Sequence, residues 1–217
     1  MRREIIPVLL ALLLASFLGT ALVVVRWIYT GNPVYVFLLW NLFLAWLPLL
    51  AALPAPALRR FPPLLLGAGA VWLLFLPNAP YLLTDLMHLG RWGDVPFWYD
   101  LLLLLVFALT GLLLGFVSLD IMQTLVSDIL GRFAGWIFAV TALALSSVGV
   151  YIGRFLRWNS WDALLQPTGV VADLLALLRQ PWHHRSAYVF SIGLAAVLVF
   201  AYIVIQRTPR ARQAVTR

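Results

Sequence analysis

Residues 101–119 read LLLLLVFALTGLLLGFVSL, a run with no charge, no proline and no amide side chain. A helix crossing about 30 Å of hydrocarbon needs about 20 residues of this kind, because each residue advances the chain by about 1.5 Å. Water is a poor solvent for such a segment, and much of the remaining chain repeats the pattern. Hydrophobic residues make up 64% of the sequence and charged ones 11%, against about a quarter charged in ordinary soluble domains. A chain this apolar cannot cover itself with polar surface, so lipid must be its solvent.

Working outward from that run, comparable segments lie at residues 5–25, 34–53, 61–76, 133–152 and 187–205. No series of short alternating strands is present, so helix is the structure that satisfies the backbone in lipid. The expected fold is an all-α integral membrane protein, with six transmembrane helices plus short interfacial or re-entrant ones. Residues 1–217 form a single polytopic domain, and residues 207–217 a basic cytoplasmic tail. The opening MRREIIPVLL resembles the charged start of a signal peptide. Its apolar stretch is too long for a signal h-region, so an uncleaved first span is expected.

All 15 basic side chains are arginine and there is no cysteine. Disulfides, thiolate catalysis and cysteine metal sites are therefore excluded. The arginines are scattered at segment ends, which is not a nucleic-acid patch. Arg2, Arg3, Arg59, Arg60, Arg132, Arg207, Arg210, Arg212 and Arg217 fall on the side of the termini. Arg26, Arg91, Arg154, Arg157, Arg179 and Arg185 fall on the other, together with five of the eight acids. The positive-inside rule then puts both termini in the cytoplasm, with the cell membrane as the expected location. Trp27, Trp92, Trp98, Trp158, Trp161 and Trp182 lie in or beside the non-cytoplasmic loops and read as an interfacial belt. Gly111 and Gly115 form G-x-x-x-G in the fourth segment, and Gly67 and Gly69 lie in the third. Close helix packing accounts for all four. DIMQTLVSDIL (120–130) and PTGVVADLLALLRQP (167–181) read as helices lying on the membrane.

Two polar clusters stand out. PNAPYLLTDLMH (77–88) follows the short third segment. Pro77 is expected to break the helix below the membrane surface, with Asn78 capping a new one that carries Pro80 in its first turn. At 100° per residue, Tyr81, Thr84, Asp85 and His88 share one face. That stripe is either a site wall or the wet side of a surface helix. Asp85 and His88 fit a carboxylate that orients a histidine base, or half of a metal site. The second cluster is YIGRFLRWNSWD (151–162). There Arg154 and Arg157, one helical turn apart, are placed to grip a phosphate or carboxylate. Snorkelling to the headgroups is their plainer role. Asn159 and Asp162 have the spacing of a capping pair, which gives Asp162 a structural explanation. Trp158 and Trp161 share the arginines' side if the helix continues.

With six spans, the loops after spans three and five face the same side, so the two clusters can meet. The predicted span interiors hold no Asp, Glu, Arg or His, and Asn41 is the most polar exception. An ion-coupled transporter needs ionisable groups along its path. Their absence favours a one-sided pocket. His183 and His184 are further candidate ligands beside Asp85 and His88, but exposed loop histidines rarely act so, and no metal site is assigned.

The blocks P-N-A-P-Y with T-D and H, and G-R-F-L-R-W-N-S-W-D, resemble the signatures of a bacterial multipass membrane family. It is known only as domain of unknown function 1361. The resemblance runs from the second span to the sixth. It covers Pro77, Asn78, Pro80, Tyr81, Thr84, Asp85 and His88, then Gly153, Arg154, Arg157, Trp158, Asn159, Ser160, Trp161 and Asp162. It implies a membrane location and a shared site, and brings no reaction with it.

The expected function is a polar pocket at the non-cytoplasmic face that binds or processes an anionic lipid or lipid-linked envelope substrate. Asp85 and His88 are the candidate catalytic pair. Asn78, Tyr81, Thr84, Arg154, Arg157, Asn159, Trp161 and Asp162 are the candidate binding residues. The sequence names no cofactor and, beyond the bilayer, no protein partner. The alternative is a non-catalytic binding or assembly subunit in which Asp85 and Arg154 or Arg157 form a structural clasp. A small-solute transporter stands third.

Overall fold

Among the described residues, six helices are long and apolar enough to cross a membrane: Ile5–Thr30, Phe37–Leu58, Pro62–His88, Phe97–Leu130, Arg132–Phe155 and Arg185–Arg207. The chain is thus an all-α multipass membrane protein, as its composition requires. The computed structural model describes residues 2–90, 95–180 and 182–215, with side chains throughout except at 2–4, 164 and 208–215. Arg91, Trp92, Asp94 and Arg217, which entered the charge and aromatic counts, lie outside the described residues.

The helices are α1 (Arg2–Thr30), α2 (Phe37–Ala52), α3 (Ala55–Leu58), α4 (Pro62–Phe75), α5 (Asn78–Thr84) and α6 (Phe97–Leu130). They are followed by α7 (Arg132–Phe155), α8 (Asp162–Leu165), α9 (Pro167–Arg179) and α10 (Arg185–Val215). A 3₁₀ turn, Asp85–His88, follows α5 directly. The chain divides into two compact units, residues 1–125 and 126–217.

In the first unit α2 packs on α4 and α5. Leu38, Leu42 and Leu49 of α2, Leu82 of α5, and Leu103, Phe107 and Leu114 of α6 form its core. Two tryptophans add polar ties between helices: Trp46 Nε1 donates to Ser16 Oγ at 3.1 Å, and Trp72 Nε1 to Ser118 Oγ at 3.2 Å. Each tie is worth about 0.6 kcal/mol, since a polar group in lipid finds other partners when the helices separate.

The third span corrects an expectation. Pro77 does not end it below the surface. The residue keeps helical dihedrals (φ −58°, ψ −26°), and Tyr81 N–H reaches the Pro77 carbonyl at 3.0 Å. The span runs for 27 residues, about 40 Å of helix, so there is no shortfall against the bilayer. Nor does Asn78 cap a new helix, for it is already the first residue of α5. Around the kink, Ala79 N–H bonds to Leu76 O instead of Phe75 O, and Asn78 Nδ2 supplies the missing donor to Phe75 O at 3.0 Å. The amide repairs the backbone where proline disturbs it, as lipid demands.

DIMQTLVSDIL is also not a separate interfacial helix. It is the continuation of α6 to Leu130, with Gln123 buried and Asp120 and Asp128 exposed. The G-x-x-x-G in α6 meets the kinked segment. A Cβ on Gly111 would come within 2.5 Å of the Ala79 carbonyl oxygen, and one on Gly115 within 2.9 Å of Ala79 Cβ. Gly67 has no such role, since a Cβ there would meet open space, and at Gly69 the nearest atom is 3.9 Å away on Met122.

In the second unit α7 packs on α10, and Tyr151, Leu177 and Ala187 form a small core with Leu156 and Phe190 against it. PTGVVADLLALLRQP forms α9, a separate helix of 13 residues, as expected. Trp27, Trp98 and Trp182 are exposed, which suits an interfacial belt.

The close approach at Gly111 yields a direct test. Gly111→Val should destabilise the purified protein by about 1–3 kcal/mol, because the backbone of α5 blocks the added methyls. Gly67→Val should leave the midpoint of thermal unfolding in detergent unchanged. Equal midpoints for the two variants would contradict the packing described.

Candidate functional site

The polar stripe of the third span faces protein. Asp85 is 0% exposed and Thr84 is buried, while Met87 is 51% exposed. The helical-wheel argument places the stripe correctly as far as Thr84 and then gives way to different geometry. In a 3₁₀ turn residues i and i+3 eclipse one another, so Asp85–His88 stacks the imidazole over the aspartate. His88 Nδ1 lies 3.2 Å from the Asp85 carbonyl oxygen and 4.0 Å from Asp85 Oδ1. Both neighbours are acceptors, so Nδ1 carries the proton. In the neutral imidazole the lone pair is then on Nε2, which has no hydrogen bond among the described residues. The His88 side chain is 21% exposed, and the Phe37 ring packs against it at 5.3 Å. From α2, Asn41 Nδ2 donates to Asp85 Oδ2 at 3.1 Å.

Behind the dyad lies an arrangement that the sequence reading missed. Arg26 of α1 forms a two-pronged ion pair with Asp100 of α6, Nε to Oδ1 at 2.7 Å and Nη2 to Oδ2 at 3.2 Å. Both side chains are buried, at 1% and 4% exposure. Tyr35 connects this pair to the dyad. Its hydroxyl is 3.3 Å from Asp100 Oδ2 and 3.4 Å from the His88 carbonyl oxygen, and its ring lies 4.8 Å from the Arg26 guanidinium carbon. Burial, and then the Asp100 charge, push the Tyr35 phenol up to about 12 against the lowering influence of Arg26. Tyr35 therefore stays a neutral donor at physiological pH. Tyr99 of α6 adds a bond to α1, its hydroxyl donating to Leu22 O at 2.8 Å.

The expectation that spans are free of ionisable groups is thus corrected. Arg26, Asp85 and Asp100 all lie inside spanning helices. Each sits within about a turn of a helix end, so the charge remains gathered at one end of its spans. A segment that ends at its first charge leaves Arg26 in a loop, whereas the helix continues to Thr30.

The second cluster departs from its expected geometry. The helix stops at Phe155, and Arg157 takes a left-handed conformation with φ 62°. Leu156 N–H closes on Ile152 O at 3.1 Å and Trp158 N–H on the same oxygen at 3.4 Å. Arg154 is half-buried in the last turn, and Arg157 is exposed beyond it, so the two are not stacked along one helix face. Asp162 Oδ2 accepts from the Asn159 backbone at 2.7 Å and from its side chain at 3.0 Å, which is the capping pair the spacing suggested. Trp158 Nε1 donates to Asp173 Oδ2 at 2.7 Å. The ring packs so tightly on Gly169 that a Cβ there would fall 2.7 Å from it. Other candidates also hold local structure: Thr84 Oγ1 donates to Tyr81 O at 2.6 Å, and Asn78 to Phe75 O. Among the described residues no three His, Asp or Glu side chains come together with metal-ligand geometry.

A family model described as "Protein of unknown function (DUF1361)" matches residues 40–201, well over half of the 217-residue chain. The chain belongs to the DUF1361 family. Asn41, Asp85, His88, Asp100 and the whole second cluster fall within the DUF1361 match, whereas Arg26 and Tyr35 precede it. No curated protein and no solved structure matches the chain.

Breaking one half of the buried pair strands the other charge. Arg26→Met or Asp100→Leu alone should cost about 3–5 kcal/mol, while the double variant should recover most of the loss. Thermal unfolding in detergent would read this, and tolerance of either single change would remove the pair from its structural role. Nitrogen NMR of histidine-labelled protein, with His88→Gln to assign the signal, should find His88 protonated on Nδ1 when neutral. An Nε2–H tautomer would contradict the dyad geometry.

Proposed function

We propose that this DUF1361 protein holds an anionic lipid headgroup or lipid-linked substrate at one membrane face, with Asp85 and His88 as its reactive pair. One observation carries the reading. A fully buried carboxylate lies beneath a partly exposed imidazole whose Nδ1 is engaged and whose Nε2 is unbonded among the described residues. That is how a histidine general base is set up: one nitrogen fixed by an acceptor, the other presented outward. Asn41 holds Asp85 from the far side.

Within the second unit, Arg154 and Arg157 are the proposed anion clamp. The clamp would come from a helix terminus and a left-handed turn rather than from one helical stripe. Asn78, Thr84, Asn159 and Asp162 have hydrogen bonds within their own turns. The face is the non-cytoplasmic one if the arginine balance sets the orientation.

The second reading, a non-catalytic assembly subunit, is favoured by the Arg26–Asp100 clasp, which is structural and buried. Complementation of a deletion strain separates the two. Asp85→Asn and His88→Gln should each lower function at least about a hundredfold, the contribution of a positioned base, with the variant proteins still present in the membrane at normal levels. Full function in both would end the catalytic reading.

A further inference from the structure

The second unit contains a cavity that the dyad does not use. It has a volume of about 240 Å³ and lies between α7, α9 and α10, lined among others by Ala144, Tyr151, Leu174, Leu178, Ile192 and Ala195. Its walls are almost wholly apolar. The only hydroxyls on it belong to tyrosines and to Ser191, and that of Tyr188 is spent on the Leu177 carbonyl at 2.9 Å. Two of the three walls, α7 and α10, are spanning helices. The medium that reaches the cavity is therefore hydrocarbon, for which the lining is suited.

The end of the cavity where α9 passes into α10 has a different character. His183 and His184 N–H groups close on the Gln180 carbonyl at 3.1 and 3.3 Å, so a tight turn joins the two helices. Arg179 and Arg185 stand on either side of that turn, both exposed. Neither forms an ion pair with a carboxylate among the described residues. Beyond Asp173 the sequence contains no further Asp or Glu, so no acid from that stretch of chain neutralises them. Trp182 lies under Arg185, with 5.2 Å from the guanidinium carbon to the ring. A tryptophan in that position marks the headgroup level of a bilayer.

We infer that this cavity is a binding site for one acyl chain of an anionic phospholipid, whose headgroup is held by Arg179 and Arg185. The apolar walls take the chain and the unneutralised arginines choose the charge. The inference does not depend on the function proposed for the Asp85–His88 dyad.

The test uses the full chain in phosphatidylcholine vesicles containing a minor share of phosphatidylglycerol with a photoreactive acyl chain. Cross-linked peptides should come mainly from α7, α9 and the start of α10. Unlabelled phosphatidylglycerol should compete and phosphatidylcholine should not. Ala144→Phe and Ala195→Phe, which fill the cavity, should lower labelling severalfold, while Leu113→Phe on the lipid-facing side of α6 should not. Arg179→Gln and Arg185→Gln alter only exposed side chains. Each should reduce the preference for phosphatidylglycerol about fivefold, the equivalent of about 1 kcal/mol per arginine. Labelling spread evenly over the lipid-facing helices and unmoved by the filling variants would leave only ordinary bilayer contact and overturn the site. So would an unchanged headgroup preference in both arginine variants. Chain-to-chain cross-links through the same peptides would overturn it in favour of a second copy of the chain.

Discussion

Lipid offers no hydrogen bonds, and in the first unit that constraint is felt most sharply at Pro77. Proline in mid-span removes one donor and displaces others, and each backbone group left open in hydrocarbon costs several kcal/mol. The chain meets this with a 3₁₀-like bond from Ala79 to Leu76 and with the Asn78 amide on the Phe75 carbonyl. The resulting bend presses the backbone of Ala79 onto Gly111 and Gly115 of α6. Helix α5 also packs on α2, which is how Asn41 comes to face Asp85. The kink, the glycine pair and the buried carboxylate are thus parts of one arrangement, in which each would be unfavourable without the others.

The same end of the unit concentrates its charge. Burying an arginine and an aspartate at 1% and 4% exposure carries a desolvation cost that good geometry only just offsets. Two bonds supply that geometry, and Tyr35 adds a neutral donor to Asp100 and an aromatic face to the guanidinium. Tyr35 also reaches the His88 carbonyl, so the ion pair acts on the dyad through the backbone of the 3₁₀ turn. An inert clasp between α1 and α6 would need no such link. The hydroxyl has one proton to share between Asp100 Oδ2 and the His88 carbonyl, at 3.3 and 3.4 Å, so Tyr35 bridges the ion pair and the turn loosely.

Much of this fold was legible in the residues. Six apolar runs separated by polar breaks can hardly become anything except six helices in lipid, and the G-x-x-x-G pattern pointed to a close helix contact. The errors share one cause. Segments closed at a charge or at Pro77 come out too short, because neither ends a helix by itself. Arg26 and Asp100 were therefore read as loop residues, and their pairing across 74 positions of sequence leaves no local periodic trace. Pro77 was read as a stop because its rescue depends on a side chain one residue away. The 3₁₀ turn was equally hidden, since the 100° spacing and its eclipsed alternative give similar faces over so short a stretch. The second cluster was found by composition, but its geometry rests on a left-handed Arg157 that a β-carbon-bearing residue seldom adopts.

That left-handed residue has a consequence for how charge is offered at the end of α7. A guanidinium in a helix's last turn, such as Arg154, has its stem fixed by neighbouring turns. One displaced into a left-handed turn projects from a different direction, and strain of this kind persists only where the surroundings hold it in place. Here Trp158 supplies the hold, with its indole bonded to Asp173 and its ring pressed onto Gly169 of α9. Gly169 has no side chain to obstruct the ring, and Asp173 lies one helical turn further along the same helix. Helix α9 thus serves the second cluster through Trp158 at its beginning and walls the apolar cavity along its second half. A thirteen-residue helix too short to cross the bilayer is, on these contacts, what gives the second unit its defined polar end.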